Sequence, residues 1–95
     1  MYKDQYHPSI KKDIKKLDPG SREDIKNDWI QKILTDPYRG EELSGILKGI
    51  RSFHFKIRAT NYRVAYTIEE KEKIVNVLMI GKRENFYQIL KRRLR

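Results

Sequence analysis

An α+β fold of order β-α-α-β-β-β-α, with two N-terminal helices packed on a mostly antiparallel four-stranded sheet, is what this sequence predicts. Three observations carry that expectation. Apolar residues recur with a period near 3.6 up to Leu34 and with a period of 2 from Phe53 onward. Helices therefore come before most of the strands, the segregated order of the α+β class. The chain has 95 residues, which suits one domain, 1–95, with one core of modest size.

Tyr2 to Tyr6 reads as a short strand. Pro8 then suits the first turn of a helix. Ile10, Ile14 and Leu17 fall on one face of that helix, and Lys11, Lys12, Lys15 and Lys16 fall off it. Asp18-Pro19-Gly20 ends it. Ser21 is the expected N-cap of the second helix, with Asp24 three residues on. Its apolar stripe is Ile25, Trp29, Ile30, Ile33 and Leu34, and Asp36-Pro37 stops it. Residues 36–50, with Gly40, Gly45 and Gly49, read as loop.

From Phe53 the alternation is strict. Phe53, Phe55, Ile57 and Ala59 face one way and Ser52, His54, Lys56 and Arg58 the other. Tyr62, Val64, Tyr66 and Ile68 repeat the pattern. Thr60-Asn61 between the runs is the expected two-residue turn. That turn would set Ile57 against Val64 and Phe55 against Tyr66 on the apolar face. On the polar face it would set Arg58 against Arg63, Lys56 against Ala65 and His54 against Thr67. Residues 69–73 make a polar turn, and Ile74 to Ile80, apolar on nearly both faces, reads as a central strand. Gly81 breaks it, and Asn85 to Arg93 forms a closing helix with Phe86, Ile89 and Leu90 on the core.

Composition excludes several classes of function. Hydrophobic residues make up 38% and charged residues 37%, and the apolar ones sit in periodic segments, so the chain folds. It has no cysteine, hence no disulfide framework, thiolate metal site or cysteine nucleophile. Two histidines and scattered acids give no ligand spacing, so neither metal nor cofactor is expected. The opening residues are too charged for a secretory signal, and no apolar run nears the roughly 20 residues of a membrane span. A cytoplasmic protein is the expectation.

The net charge is +9, and it is lopsided. Residues 1–50 hold ten Lys/Arg and nine Asp/Glu, a net of +1; residues 51–95 hold twelve and four, a net of +8. A concentrated basic half fits a polyanionic partner better than a merely solvated surface, because like charges gathered together repel. The best-placed cations are Lys56, Arg58, Arg63 and Arg83, with His54 among them. Guanidinium groups bind phosphate through paired hydrogen bonds. RNA cleavage without a metal needs a base for the 2′-hydroxyl proton, cations for the crowded phosphorane and an acid for the leaving 5′-oxygen. His54 titrates near neutrality and suits the base or the acid. Lys56 is an alternative base, Arg63 and Arg83 would hold the charge, and Tyr87 could stack on a nucleobase.

Leu43-Ser44-Gly45, then FHFKIRATNYRVAY, then IVNVLMIGKRENFY, taken in that order, resemble the RelE branch of the RelE/ParE toxin superfamily. The resemblance spans nearly the whole chain and implies a RelE-like microbial ribonuclease-type fold. It also implies a type II toxin that enters the ribosomal A site and cuts messenger RNA, and a cognate acidic antitoxin that covers or distorts the basic groove. By position the cleaving residues are Lys56, Arg63, Arg83 and Tyr87, with Arg58 in support. His54 stands where the best-known member has a second lysine, and Arg83 to Tyr87 is a shorter spacing than in that member. Lys11, Lys12, Lys15, Lys16, Lys82, Lys91, Arg92 and Arg93 would then touch RNA phosphates of the ribosome and its message. Two other readings fit the same scaffold: a ParE-like inhibitor of DNA gyrase and a catalytically inactive RNA-binding relative.

Overall fold

The computed structural model describes residues 1–95. Three strands form its centre: β3 (Arg51–Ile57), β4 (Thr60–Glu69) and β5 (Ile74–Lys82), each antiparallel to the next. β1 (Lys3–Tyr6) adds to β5 in parallel, and β2 (Glu41–Glu42) adds to β3 antiparallel. The sheet thus runs β1-β5-β4-β3-β2, five strands where the sequence predicts four. The extra one has two residues, too few to show a period.

The helical layer is α1 (Ile10–Lys15), α2 (Pro19–Asp24) and α3 (Ile30–Thr35), with a π-helical turn at Ile25–Trp29 joining the last two. Asp18, not Ser21, is the N-cap: its carboxylate accepts from the Ser21 amide at 3.1 Å and the Ser21 hydroxyl at 2.7 Å. The reason lies in Pro19, whose fixed φ and missing N–H suit the first helical position. The π-turn also has a cause in the sequence. Ile25 and Ile30 are five apart, which in a regular α-helix leaves them roughly 140° apart around the axis. One wide turn, closed by the Ile30 amide on the Ile25 carbonyl, brings both onto the buried face.

The main core lies between these helices and one face of the sheet: Ile10, Leu17, Ile25, Ile30, Ile33 and Leu34 against Phe55, Ile57, Tyr62, Val64, Tyr66, Val75, Val77 and Ile80. Trp29 stacks on Phe55 at 4.8 Å between centroids, and Phe55 on Tyr62 at 5.9 Å. Ile14 departs from expectation and is 38% exposed. α1 ends at Lys15, and Leu17 turns inward beyond it, which leaves Ile14 on a groove rim. Tyr66 is fully buried; its hydroxyl donates to the Pro37 carbonyl at 2.7 Å and accepts from the Gly40 amide at 3.1 Å. A Cβ on Gly40 would collide with that hydroxyl, so the close approach requires glycine.

The hairpin register corrects the sequence expectation. The turn is Arg58-Ala59, with Arg58 at φ +55°, and Thr60 and Asn61 belong to β4. Phe55 pairs with Tyr62, His54 with Arg63 and Lys56 with Asn61. Two placements of the turn two residues apart give the same inside–outside alternation, so hydrophobic pattern alone does not separate them.

β5 explains its own all-apolar composition. Val77 pairs with Tyr66 and Met79 with Ala65, so Leu78 is an extra residue, a bulge. Before it Val75 and Val77 face the helices; after it Ile80 does, while Met79 faces the other way. On that second face α4 (Phe86–Arg93) docks, burying Phe86 and Leu90 with Leu47, Ile50, Ala65 and Met79. The closing helix therefore builds a second cluster instead of extending the first. Asn85 precedes it in a left-handed conformation (φ +56°).

Candidate active site

Pairing across β3, β4 and β5 orders the second face into rows. One row runs Ser52, Ala65, Met79; the next runs His54, Arg63, Gly81; the next holds Lys56 and Asn61. Arg83 extends this last row, since its amide donates to the Asn61 carbonyl at 3.2 Å. α4 covers the first row and stops short of the third. Where it begins, Tyr87 stands over the middle row: the Arg63 guanidinium lies 4.9 Å from its ring centroid. The Tyr87 hydroxyl is 3.5 Å from His54 Nε2 and donates to Ser52 Oγ at 3.3 Å.

His54, Lys56, Arg63, Arg83 and Tyr87 therefore lie on adjoining rows of one face. His54 is exposed and Arg63 half-buried. None of these three cations, nor the histidine, takes part in the ion pairs of the structure, which are Arg51–Glu42, Arg58–Asp18, Lys73–Glu70 and Arg93–Asp13. Unpaired positive charge on a half-covered face is a site for an anion. Partial burial, and then the Arg63 charge, hold the His54 imidazolium below its ordinary pKa; the Glu41 carboxylate pulls the other way. The ring is thus neutral at pH 7, the state in which it can accept a proton.

Three predicted residues lie elsewhere. Arg58, at the hairpin turn, does not face Arg63; it reaches Asp18 at 4.0 Å. Arg93 is engaged in the fold: its guanidinium forms a two-pronged bridge to buried Asp13 at 2.7 and 2.8 Å and donates to the Leu78 carbonyl at 2.9 Å. That geometry removes it from the surface cations. Lys82 pairs with Tyr62 and so lies on the helix side of the sheet, in a crevice of about 270 Å³ shared with Lys16. Lys11, Lys12, Lys15, Lys91 and Arg92 are exposed. A concavity of about 520 Å³ between β1, α1 and α2 holds none of the catalytic candidates.

Sequence reading missed two neighbours of His54. Ser52 is 1% exposed and sits two residues before it on the same face. Glu41 pairs with Ser52 across β2. The alternation Ser52, His54, Lys56 contains the first; nothing in a two-residue strand signals the second.

A family model for the ParE-like toxin of type II bacterial toxin–antitoxin systems matches residues 5–91. The chain belongs to that family. Solved structures agree on the fold. The RelBE2 toxin–antitoxin complex of Mycobacterium tuberculosis contains a chain 24% identical, with 86% of this chain and 98% of that one covered and a TM-score of 0.72. A doubly substituted Escherichia coli RelE toxin in the free state is 26% identical, over 99% and 98%, with a TM-score of 0.70. The archaeal RelE–RelB complex of Pyrococcus horikoshii matches at 18% identity over 87% and 96%, with a TM-score of 0.61. No curated protein sequence matches. A type II toxin on the RelE/ParE scaffold thus carries the rows of His54, Arg63 and Lys56. No helix in it is long and apolar enough to cross a membrane.

Proposed function

We propose that this ParE-like toxin is an endoribonuclease that cuts messenger RNA in the ribosomal A site. The observation that carries the reading is the direct pairing of His54 with Arg63 beneath Tyr87, with Lys56 and Arg83 on the next row and no acidic partner on any of them. A neutral imidazole beside cations is the equipment for moving a proton next to a phosphate. His54 takes the 2′-hydroxyl proton as the 2′-oxygen attacks phosphorus. Arg63 and Arg83 hold the dianionic phosphorane. The bond to the 5′-oxygen breaks, that oxygen takes a proton, and a 2′,3′-cyclic phosphate remains. Proton transfer by a positioned group is worth roughly 10²–10⁴-fold, and the arginines act where charge develops.

Lys11, Lys12, Lys15, Lys16, Lys82, Lys91 and Arg92 would meet ribosomal RNA phosphates, adding affinity without sequence preference. The regulator is a cognate acidic antitoxin that covers the basic face, a reading supported by related toxins solved as toxin–antitoxin complexes. The family's ParE-like description favours one second reading, inhibition of DNA gyrase, which needs none of these rows for chemistry.

The test is primer extension on a reporter message in a translation extract, with and without ribosomes, comparing the chain with Arg63→Ala. Cuts are expected only on translated message and are lost in the variant. An intact message removes the nuclease reading, and a gyrase cleavage-complex assay then decides the second.

A further inference from the structure

The Tyr87 hydroxyl stands between two partners on β3. It is 3.3 Å from Ser52 Oγ and 3.5 Å from His54 Nε2. Ser52 is 1% exposed and its hydroxyl has no other side-chain partner. It sits between two strands, in register with Ala65 on β4 and Glu41 on β2. Tyr87 itself rides on the first turn of α4, whose left-handed Asn85 N-cap makes no side-chain capping hydrogen bond. The phenol ring has Arg63 over it and Phe86 edge-on at 5.5 Å between centroids. Those contacts hold the ring's plane but leave its hydroxyl free to turn.

We propose that Ser52 is a positioning residue: its buried hydroxyl anchors the Tyr87 phenol so that the Tyr87 oxygen meets His54 Nε2. When the Tyr87 O–H donates to Ser52, its lone pair is turned toward the imidazole and accepts from the Nε2 proton. That bond fixes the tautomer, leaving Nδ1 as the proton-accepting nitrogen. Without Ser52 the phenol O–H is free to donate to Nε2 instead, which selects the opposite tautomer. Ser52 touches no substrate; it acts through Tyr87. The proposal rests on the nuclease reading for its role in cleavage, but the Ser52–Tyr87–His54 geometry stands without it.

His54 also faces Arg63 from β4, Lys56 two residues on along β3, and Glu41 from β2, so its titration reports all of them at once. The test must therefore be a cycle. The His54 ring is followed by NMR titration in the intact chain, in Ser52→Ala, in Tyr87→Phe and in the double variant, with thermal unfolding to establish that each is folded. Either single change should lower the His54 pKa: Tyr87→Phe removes the acceptor of the Nε2 proton, and Ser52→Ala frees the phenol O–H to donate to Nε2, which favours the neutral ring. Adding Ser52→Ala to Tyr87→Phe should shift it no further. In the ribosome assay Ser52→Ala should slow cleavage about tenfold, the value of one hydrogen bond, and the double variant should match Tyr87→Phe. An unchanged titration in Ser52→Ala, or a full Ser52 effect persisting in Tyr87→Phe, overturns the positioning role. An intact chain that leaves translated message uncut sinks the nuclease reading instead, and the titration still decides Ser52.

Discussion

Asp13 and Arg93, eighty positions apart, form a two-pronged ion pair around the edge of β5. β1 reaches only as far as Val77, so beyond it the β5 edge has no strand partner. Asp13 from α1 accepts the Ile80 amide at 3.0 Å, and Arg93 from α4 donates to the Leu78 carbonyl. The pair thus satisfies the bulged stretch of backbone and joins a helix on one face of the sheet to a helix on the other. Side-chain exposures of 12% and 6% place it out of solvent. Removing one partner strands the other: Arg93→Ala should cost about 3–5 kcal/mol in urea unfolding, far more than an exposed arginine. Arg92→Ala, one residue away and exposed, should cost little.

Gly40 and Tyr66 make a second coupled pair. Gly40→Ala must displace the Tyr66 hydroxyl from its buried bonds to Pro37 and Gly40. An unfolding cost of about 1–3 kcal/mol is expected for that loss. Tyr66→Phe removes the obstructing oxygen, so the double variant should be more stable than the sum of the two single losses implies.

The pH dependence of cleavage follows from His54. Its folded pKa lies below the ordinary value because burial and Arg63 disfavour the imidazolium. The acid limb of the single-turnover rate should therefore fall below pH 6.5, the usual histidine value. His54→Gln should slow the reaction and abolish that limb. The sign for stability is the same: the unfolded chain binds the proton more readily, so protonation below that value works against the fold.

At the far end of the sheet, Glu70 accepts from the hydroxyls of Tyr2 at 2.5 Å and Tyr38 at 2.6 Å and pairs with Lys73. Together, Lys73 first, they hold its carboxyl down to about 2. A carboxyl with a lowered folded pKa stabilises above its unfolded value, near 4.5, and loses that contribution as the pH falls toward 2. Amide exchange at Tyr2 and Lys3 should accelerate over that window, and Glu70→Gln should flatten the dependence.

The sequence exposed some of this and hid the rest for physical reasons. Periodicity revealed the helices, the strands and the apolar stripe of Ile25 to Leu34, because burial imposes it. It could not locate the hairpin turn. Arg58 occupies a left-handed position that usually favours glycine or asparagine, and the Asn61 nearby drew the turn two residues too far. A turn placed there keeps every inward residue inward and changes every cross-strand neighbour. His54 against Arg63, the pairing on which the site rests, is therefore invisible to periodicity. Arg93 looked like one more cation in a basic tail, since its partner is eighty positions away.

One extra residue in β5 has a consequence for how the molecule comes apart. Leu78 shifts the phase of the strand, so Val77 and Ile80 belong to one cluster while Met79 between them belongs to the other. Each cluster uses the same few residues of backbone as its wall. Neither α4 nor the α1–α3 layer can then peel away and leave its counterpart intact on an undisturbed strand. The two faces should lose protection against hydrogen exchange at one free energy, as a single cooperative unit.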